Sequence, residues 1–275
     1  MAWTETTRRN YVRRTSGYAS DVTDREWDFV APFMPAPRRL GRPRKTDLRD
    51  VLNALLYIAS TGCQWRMLPK DFPPCSTVQR YFYEWRQWGL WPRINHHLVM
   101  EARELEGKEA SPTAGAIDSQ SGPRIPPLSV VLTGKKIKGR KRHIIVDTLG
   151  LMVGLMVHSA DIQDRDGAPD LLKSIKNRWP WLLHVFADGG YAGDKLKKRL
   201  QKIGKWTLEI IKRSDKAKGF EILPRRWVVE RTFAWLGRCR RLAKDFEKSV
   251  ASAEAWITIA HIRMLTRRLA RYGYR

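Results

Sequence analysis

The 275 residues include 52 Lys and Arg against 28 Asp and Glu, a formal charge of +24, and an excess that large points to a polyanionic partner, nucleic acid or anionic membrane. The longest apolar run, Leu149 to Val157, is too short to cross a bilayer, and Met1 to Arg14 has no apolar signal core. Nucleic acid is therefore the expected partner, with no membrane.

Residues 1–20 are polar and basic and read as a loosely ordered arm. Thr23 with Glu26 forms a capping-box signature and opens a short helix that runs to Pro32. Pro35 to Lys45, with Pro35, Pro37, Gly41 and Pro43, reads as a linker that no regular element tolerates. Leu48, Val51, Leu52, Leu55, Leu56 and Ile58 keep helical spacing up to Gly62, which should close the helix. Ser76 with Gln79 is a second capping signature, opening a helix rich in Tyr81, Phe82, Tyr83, Trp85 and Trp88, whose aromatic stripe fits a core better than a base-stacking platform. Helix, loop and capped helix in a basic chain suggest a helix-turn-helix-like DNA reader. The polar stretch Glu101 to Pro112 separates this reader from the C-terminal part of the chain. Cys63, Cys75 and Cys239 are odd in number and scattered, which argues against disulfides or a Cys-based zinc site and fits a reducing cytosol.

After Pro112 the pattern changes. Ala114 to Asp118 is small and apolar and ends on an acid, a buried strand carrying a carboxylate. Lys135 to Arg142 holds six positive charges and no acid, so Lys135, Lys136, Lys138, Arg140, Lys141 and Arg142 are expected to contact DNA phosphate. His143–Asp147 and Leu151–His158 read as paired strands, Asp166–Arg178 as a helix, and Leu182–Ala187 as a strand ending at Asp188-Gly189-Gly190. A basic helix over Gly193–Ile203 and a strand over Thr207–Ile211 come next. Arg225 to Leu236 reads as a helix apolar around most of its circumference, with Arg226, Glu230, Gly237 and Arg241 on one polar stripe. Ser249 to Arg271 is a final helix with Trp256, Ile257, Ile259, Ile262 and Leu265 available for a core.

Asp118 and Asp188 each end a strand, where ligands collect in α/β sheets. With Glu230 they make three carboxylates that a sheet and an adjoining helix could bring together. Clustered carboxylates repel, and a divalent cation removes the conflict; Mg²⁺, with Mn²⁺ able to substitute, is the oxygen-preferring choice. Two such ions can serve an in-line displacement at phosphorus. The other prominent groups read as structural. His143, His158 and His184 fit core or surface roles, and Asp147, Asp161, Asp164 and Asp166 fit turns and caps.

Five stretches resemble the DDE transposases of bacterial insertion sequences, family five in particular. They are Asp118-Ser119-Gln120-Ser121, Gly134 to His143, Asp161 to Ala168, Ala187 to Gly193, and Leu223 to Leu236. The resemblance implies an α/β, ribonuclease-H-like catalytic domain (a mixed sheet flanked by helices) behind an N-terminal all-α helix-turn-helix-like domain. It implies Asp118, Asp188 and Glu230 as the metal-binding catalytic triad. Arg226 matches a family position four before the Glu. The basic residue seven after it is replaced by Gly237, and Arg238 or Arg241 is expected to substitute. Gly122 to Thr133, rich in Pro and apolar residues, departs from the polar, Gly-rich connection usual in the family.

The expected organisation is a basic arm over 1–20, a DNA-binding domain over 21–108 and a catalytic domain over 112–275. The expected function is binding of terminal inverted repeats, end cleavage and transfer of the 3′-hydroxyl strand to target DNA. A homo-oligomer in the DNA complex and a cytoplasmic, nucleoid-associated location go with it. Two alternatives stay open: an inactive DNA-binding derivative that represses transposition, and a metal-dependent nuclease that cuts without joining.

Overall fold

The computed structural model describes residues 12, 13, 15, 17–37, 41, 43–123, 139–211 and 226–272. Most of the basic arm, Lys135, Lys136 and Lys138, nearly all of the Gly122–Thr133 stretch and the start of the Leu223 motif lie outside them. The chain divides into two compact units, residues 1–106 with 239–241 and 258–275, and residues 107–238 with 242–257. A single cut near 110 would not separate them, because the last stretch of chain returns to the first unit.

The first unit is helical. Its helix α1 (Asp24–Asp28) opens on the expected capping box, with Thr23 Oγ1 accepting from Glu26 N and Glu26 from Thr23 N. Helix α2 (Leu48–Thr61) is capped by Asp47 and closed by Gly62 at φ 72, a left-handed position that glycine adopts at no steric cost. Helix α3 (Cys75–Gln87) starts behind Pro74, one residue before Ser76, so the second capping box does not form. Residues 62–74 separate α2 from α3, a longer connection than the roughly three- or four-residue turn of a tight helix-turn-helix. Helix α4 (Leu90–Glu104) is not among the elements expected from the sequence. Pro92 sits in its first turn, where a missing N–H costs nothing.

Leu52, Leu55, Ile58, Phe82, Trp85, Trp91, Ile94 and Leu98 are fully buried and make the core, each contributing about 1.5–3 kcal/mol by burial. Trp85 and Trp91 meet edge to face at 5.6 Å between centroids. The aromatic stripe of α3 is thus mainly core, as expected, with Tyr83 and Trp88 left at the surface.

The second unit is built on one sheet. Its strands are β1 (Ala114–Pro123), β2 (Gly139–Asp147), β3 (Met152–Ser159), β4 (His184–Ala187) and β5 (Thr207–Ile210). Their order is β3-β2-β1-β4-β5, with β1–β2 and β2–β3 antiparallel and β1–β4 and β4–β5 parallel. Helices α5 (Asp164–Ile175), α6 (Asp194–Ile203) and α7 (Trp227–Leu236) accompany it. The long helix α8 (Val250–Tyr272) gives residues up to 257 to this unit and the remainder to the other. Ile117, Ile144, Ile145, Val146 and Val185 fill the sheet's interior, with Leu171, Leu172 and Ile175 of α5 among the buried residues. Asp147 is fully buried and accepts from Leu149 N at 2.9 Å and Leu151 N at 2.8 Å, tying the β2–β3 turn, as its expected turn role requires.

Two expectations change. The basic residues from Arg140 to Arg142 lie within β2, which begins at Gly139 and not at His143 as expected. Helix α7 is amphipathic: Val228, Val229, Thr232, Phe233 and Leu236 are buried, while Trp227 is 38% exposed. Trp227 and Trp235 each lie 4.6 Å from the Arg231 guanidinium, a cation–π clasp that accounts for aromatic rings outside the core.

Candidate active site

Asp118 lies within β1, Asp188 directly follows β4, and Glu230 stands in the first turn of α7. Asp118 does not end its strand as expected, since β1 continues to Pro123; the parallel register with β4 instead sets it level with Asp188, which does follow a strand end. Arg226, at the start of α7, joins two of the acids: its Nη2 is 3.5 Å from Asp188 Oδ2 and 3.3 Å from Glu230 Oε1. Ser119 N donates to Asp118 Oδ1 at 2.7 Å, and Gly190 N donates to Asp188 Oδ1 at 2.8 Å.

Burial pushes the Asp118 carboxyl up to about 6, with the Asp188 and Glu230 charges adding to it and the Ser119 N–H and Arg226 opposing it. Asp118 therefore senses the other two acids, with the Arg226 guanidinium placed against both of those. Glu230, expected on a largely buried helix, has a side chain 48% exposed, because α7 turns this stripe away from its buried face. Its pair with Arg226 is correspondingly weak, about 0–1 kcal/mol.

The donor set is all hard carboxylate oxygen, which fits a divalent cation such as Mg²⁺. Among the described residues, no group of three or more His, Cys, Asp or Glu side chains stands close enough together to hold a metal ion. Arg226 lies instead against two of the three acids.

The expected DNA-binding cations separate into two kinds. Arg140 donates to Asp245 Oδ2 at 3.2 Å and to the carbonyls of Glu247, Lys248 and Ser249 at 3.0, 2.8 and 3.3 Å. Lys141 Nζ donates to Asp164 Oδ1 and to the Ile162 carbonyl, both at 2.8 Å. Burial lowers the pKa of Arg142, with the Asp245 charge opposing. Side chains alternate along β2, so Arg140 and Arg142 lie on one face of the sheet and Lys141 on the other, and Arg140 and Lys141 are held by partners within the chain. Arg241 is also buried, in the first unit, where its Nη1 donates to the Cys63 carbonyl at 3.3 Å. Arg238 is exposed just after α7.

Three residues near the acids receive no functional role from the sequence, or only the role of a cap. Ser119 is hydrogen-bonded to Asp164 of α5, Asp164 to Lys141 of β2, and Tyr191 to His143 of β2, each across a long sequence separation. Alternation along β1 could have placed Ser119 opposite Asp118's face, but no local pattern reports its partner in α5.

A family model described as "Transposase DDE domain" matches residues 110–265, more than half of the chain and inclusive of all three acids. A second, described as "Putative transposase of IS4/5 family", matches residues 22–95. Among curated proteins, the chain is 31% identical over 85 residues to an uncharacterised protein of Sinorhizobium fredii, covering 31% of this chain and 66% of that one. It is 29% identical over 106 residues to the uncharacterised 16.2 kDa protein of insertion element IS402 from Burkholderia cepacia, covering 36% of this chain and 71% of that protein. It is also 29% identical over 123 residues to the "Putative transposase for insertion sequence element IS402" of the same organism, covering 42% of this chain and 57% of that protein. The match thus spans just under two thirds of the first of these relatives and a little over half of the last. No solved structure matches. The mixed β3-β2-β1-β4-β5 sheet flanked by helices accords with the ribonuclease-H-like fold of DDE domains, and the chain belongs to the DDE transposases of insertion sequences.

Proposed function

We propose that the chain binds the terminal inverted repeats of its insertion sequence, cleaves at the ends and joins the freed 3′-hydroxyl strand to target DNA. Asp118, Asp188 and Glu230 would form the catalytic triad and hold Mg²⁺, with Mn²⁺ able to substitute. One observation carries this reading: Asp118 and Asp188, drawn from strands 70 positions apart in sequence, meet α7 where Arg226 touches Asp188 and Glu230 while Asp118 senses all three.

When bound, the divalent cation supplies charge neutralisation at the transferring phosphoryl group and lowers the pKa of the attacking hydroxyl. The chain's own residues do the remainder. Asp118, held by the Ser119 N–H, and Asp188, held by the Gly190 N–H, present fixed oxygens; Glu230 completes the set from the helix. Arg226 offsets part of the charge of Asp188 and Glu230, and its guanidinium could also hold a DNA phosphate. Lys135, Lys136, Lys138 and Arg238 are the cations left for phosphate contact, and the helical unit is assigned to end recognition. A homo-oligomer would bring two ends together.

The test is a purified-protein assay with end-bearing DNA and Mg²⁺. Cleavage and strand joining are expected. Cutting without joining would favour the nuclease reading, and specific end binding without cutting would favour a repressor derivative.

A further inference from the structure

Side chains alternate along a strand, so Ser119, next to Asp118, faces the other side of the sheet. There the register sets Ser119 opposite His143 and Lys141 opposite His158. Ser119 Oγ donates to Asp164 Oδ1 at 2.6 Å, the same oxygen that accepts from Lys141. Burial works to raise the Asp164 carboxyl, but the hydrogen bonds from Lys141 and Ser119 outweigh it and hold the group below the ordinary range. Its other oxygen comes within 3.7 Å of the point a Cβ would occupy on Gly190, the residue whose N–H holds Asp188.

Tyr191, in the same turn, is 0% exposed, and its hydroxyl lies 2.9 Å from His143 Nε2. His143 Nδ1 lies 3.3 Å from His158 Nε2, and His158 Nδ1 lies 2.9 Å from the Ser159 carbonyl. The carbonyl only accepts, which assigns a proton to His158 Nδ1; with the ring in its neutral form, Nε2 is then the acceptor. His143 Nδ1 then donates to His158, and His143 Nε2 accepts from Tyr191. Every member has a partner, and the direction of each bond is determined by the next. Helix α5 closes over the rings at Gly167, where a Cβ would stand 2.8 Å from His158 Nε2 and 3.0 Å from His143 Nδ1.

We propose that Asp164 and Tyr191 are positioning residues, which tie the strand carrying Asp118 and the turn carrying Asp188 to one polar layer behind the site and so set the spacing of the two acids. This rests on the triad reading above. Asp164 reaches Asp118 through Ser119, and Tyr191 reaches Asp188 through the turn they share. Neither touches DNA or metal in this role. Groups that orient metal ligands from behind characteristically change metal affinity or rate by about 10–100-fold when removed.

The test uses the full chain, with Mn²⁺ binding followed by the electron paramagnetic resonance of free Mn²⁺, with and without end DNA. Thermal melting in chelator and the metal dependence of cleavage run in parallel. Asp164→Asn and Tyr191→Phe are expected to weaken Mn²⁺ binding by about 10–100-fold and to raise the metal concentration for half-maximal cleavage. End binding in metal-free buffer should be unchanged. A purely structural layer would lower the melting temperature and leave Mn²⁺ affinity alone, and that result overturns the proposal. Should Asp164→Asn fail to fold, Tyr191→Phe, which removes a single oxygen, decides the matter. If Asp118→Asn loses Mn²⁺ while both variants keep it, the positioning inference alone falls. If Asp118→Asn binds Mn²⁺ like the parent, or the parent binds none, the triad reading falls and takes this inference with it.

Discussion

Asp118 and Ser119 stand side by side in β1 and face opposite sides of the sheet, and the groups that meet them differ in kind. Around Ser119, each donor finds an acceptor: hydroxyl, ammonium, carboxylate, two imidazoles and a phenol form a closed set among buried and half-buried groups. Around Asp118, three carboxylates share one guanidinium, and the most buried acid is pushed up to about 6. A saturated layer is at rest and gives rigidity. Three carboxylates with one guanidinium among them are the arrangement that the proposed cation site calls for. On the proposed reading, the difference separates a supporting layer from a working one more sharply than residue type does, since both contain acids and bases.

The largest effect expected from breaking this contrast is on catalysis. Asp118→Asn, Asp188→Asn and Glu230→Gln should each reduce cleavage of end DNA by roughly ten-thousandfold, and pairs of them by little more, because groups acting as one unit fail together. The melting temperature of the metal-free protein should stay level or rise, since repulsion is relieved and the exposed Arg226–Glu230 pair is worth little. A Glu230→Gln protein that melts much lower yet cuts normally would return Glu230 to a structural role.

Arg140 tests a charge that already has its partners. Its guanidinium and Asp245 are almost wholly buried, at 10% and 6% side-chain exposure. Arg140→Ala should cost about 3–5 kcal/mol of stability, measured by denaturant unfolding. The salt dependence of DNA binding should not move; a flatter slope would put Arg140 back among the phosphate contacts.

Acid should act on the two layers with opposite sign. Burial lowers His143 from 6.5 to about 3, so the unfolded chain takes up its proton first and stability falls as pH drops from 6.5 towards 3. The slope is at most about 1.4 kcal/mol per pH unit for this one group. Asp118, raised from 3.8 to about 6, does the reverse: stability is lost as pH rises through about 6 and regained towards 4. Unfolding curves of His143→Gln and Asp118→Asn across this range should lose one contribution each. If both variants keep the parent's profile, the two layers do not differ in this way.

The smallest effect lies in the basic stretch. Replacing Lys135, Lys136 and Lys138 with Ala should flatten the slope of log K against log salt by roughly 0.9 for each phosphate no longer neutralised, for all sequences alike. No change would remove them from the phosphate interface.

Much of the fold and part of the site are legible in short windows of sequence. The Thr23–Glu26 box, the closure at Gly62, the buried strand before Asp118 and the strand before Asp188 are local events, set by a few neighbouring residues. Helix α4 escapes such a reading because Pro92 has the same identity whether it terminates a helix or sits in a first turn. The Lys135–Arg142 run reads as one charged surface, since composition does not reveal that β2 begins at Gly139.

The sequence by itself determined most of the strands and helices, the acid that follows β4 and the family motifs, because these depend on periodicity, capping and residue type within short windows. Tertiary structure alone decided which polar groups are satisfied. It turned Arg140 and Lys141 inward, exposed Glu230, closed the Ser119–Asp164–Tyr191–His143 layer and returned residues 258–275 to the helical unit, where His261 pairs with Asn95. The physical reason is that desolvation and hydrogen bonding depend on partners far apart in the chain, and no local pattern encodes who those partners are.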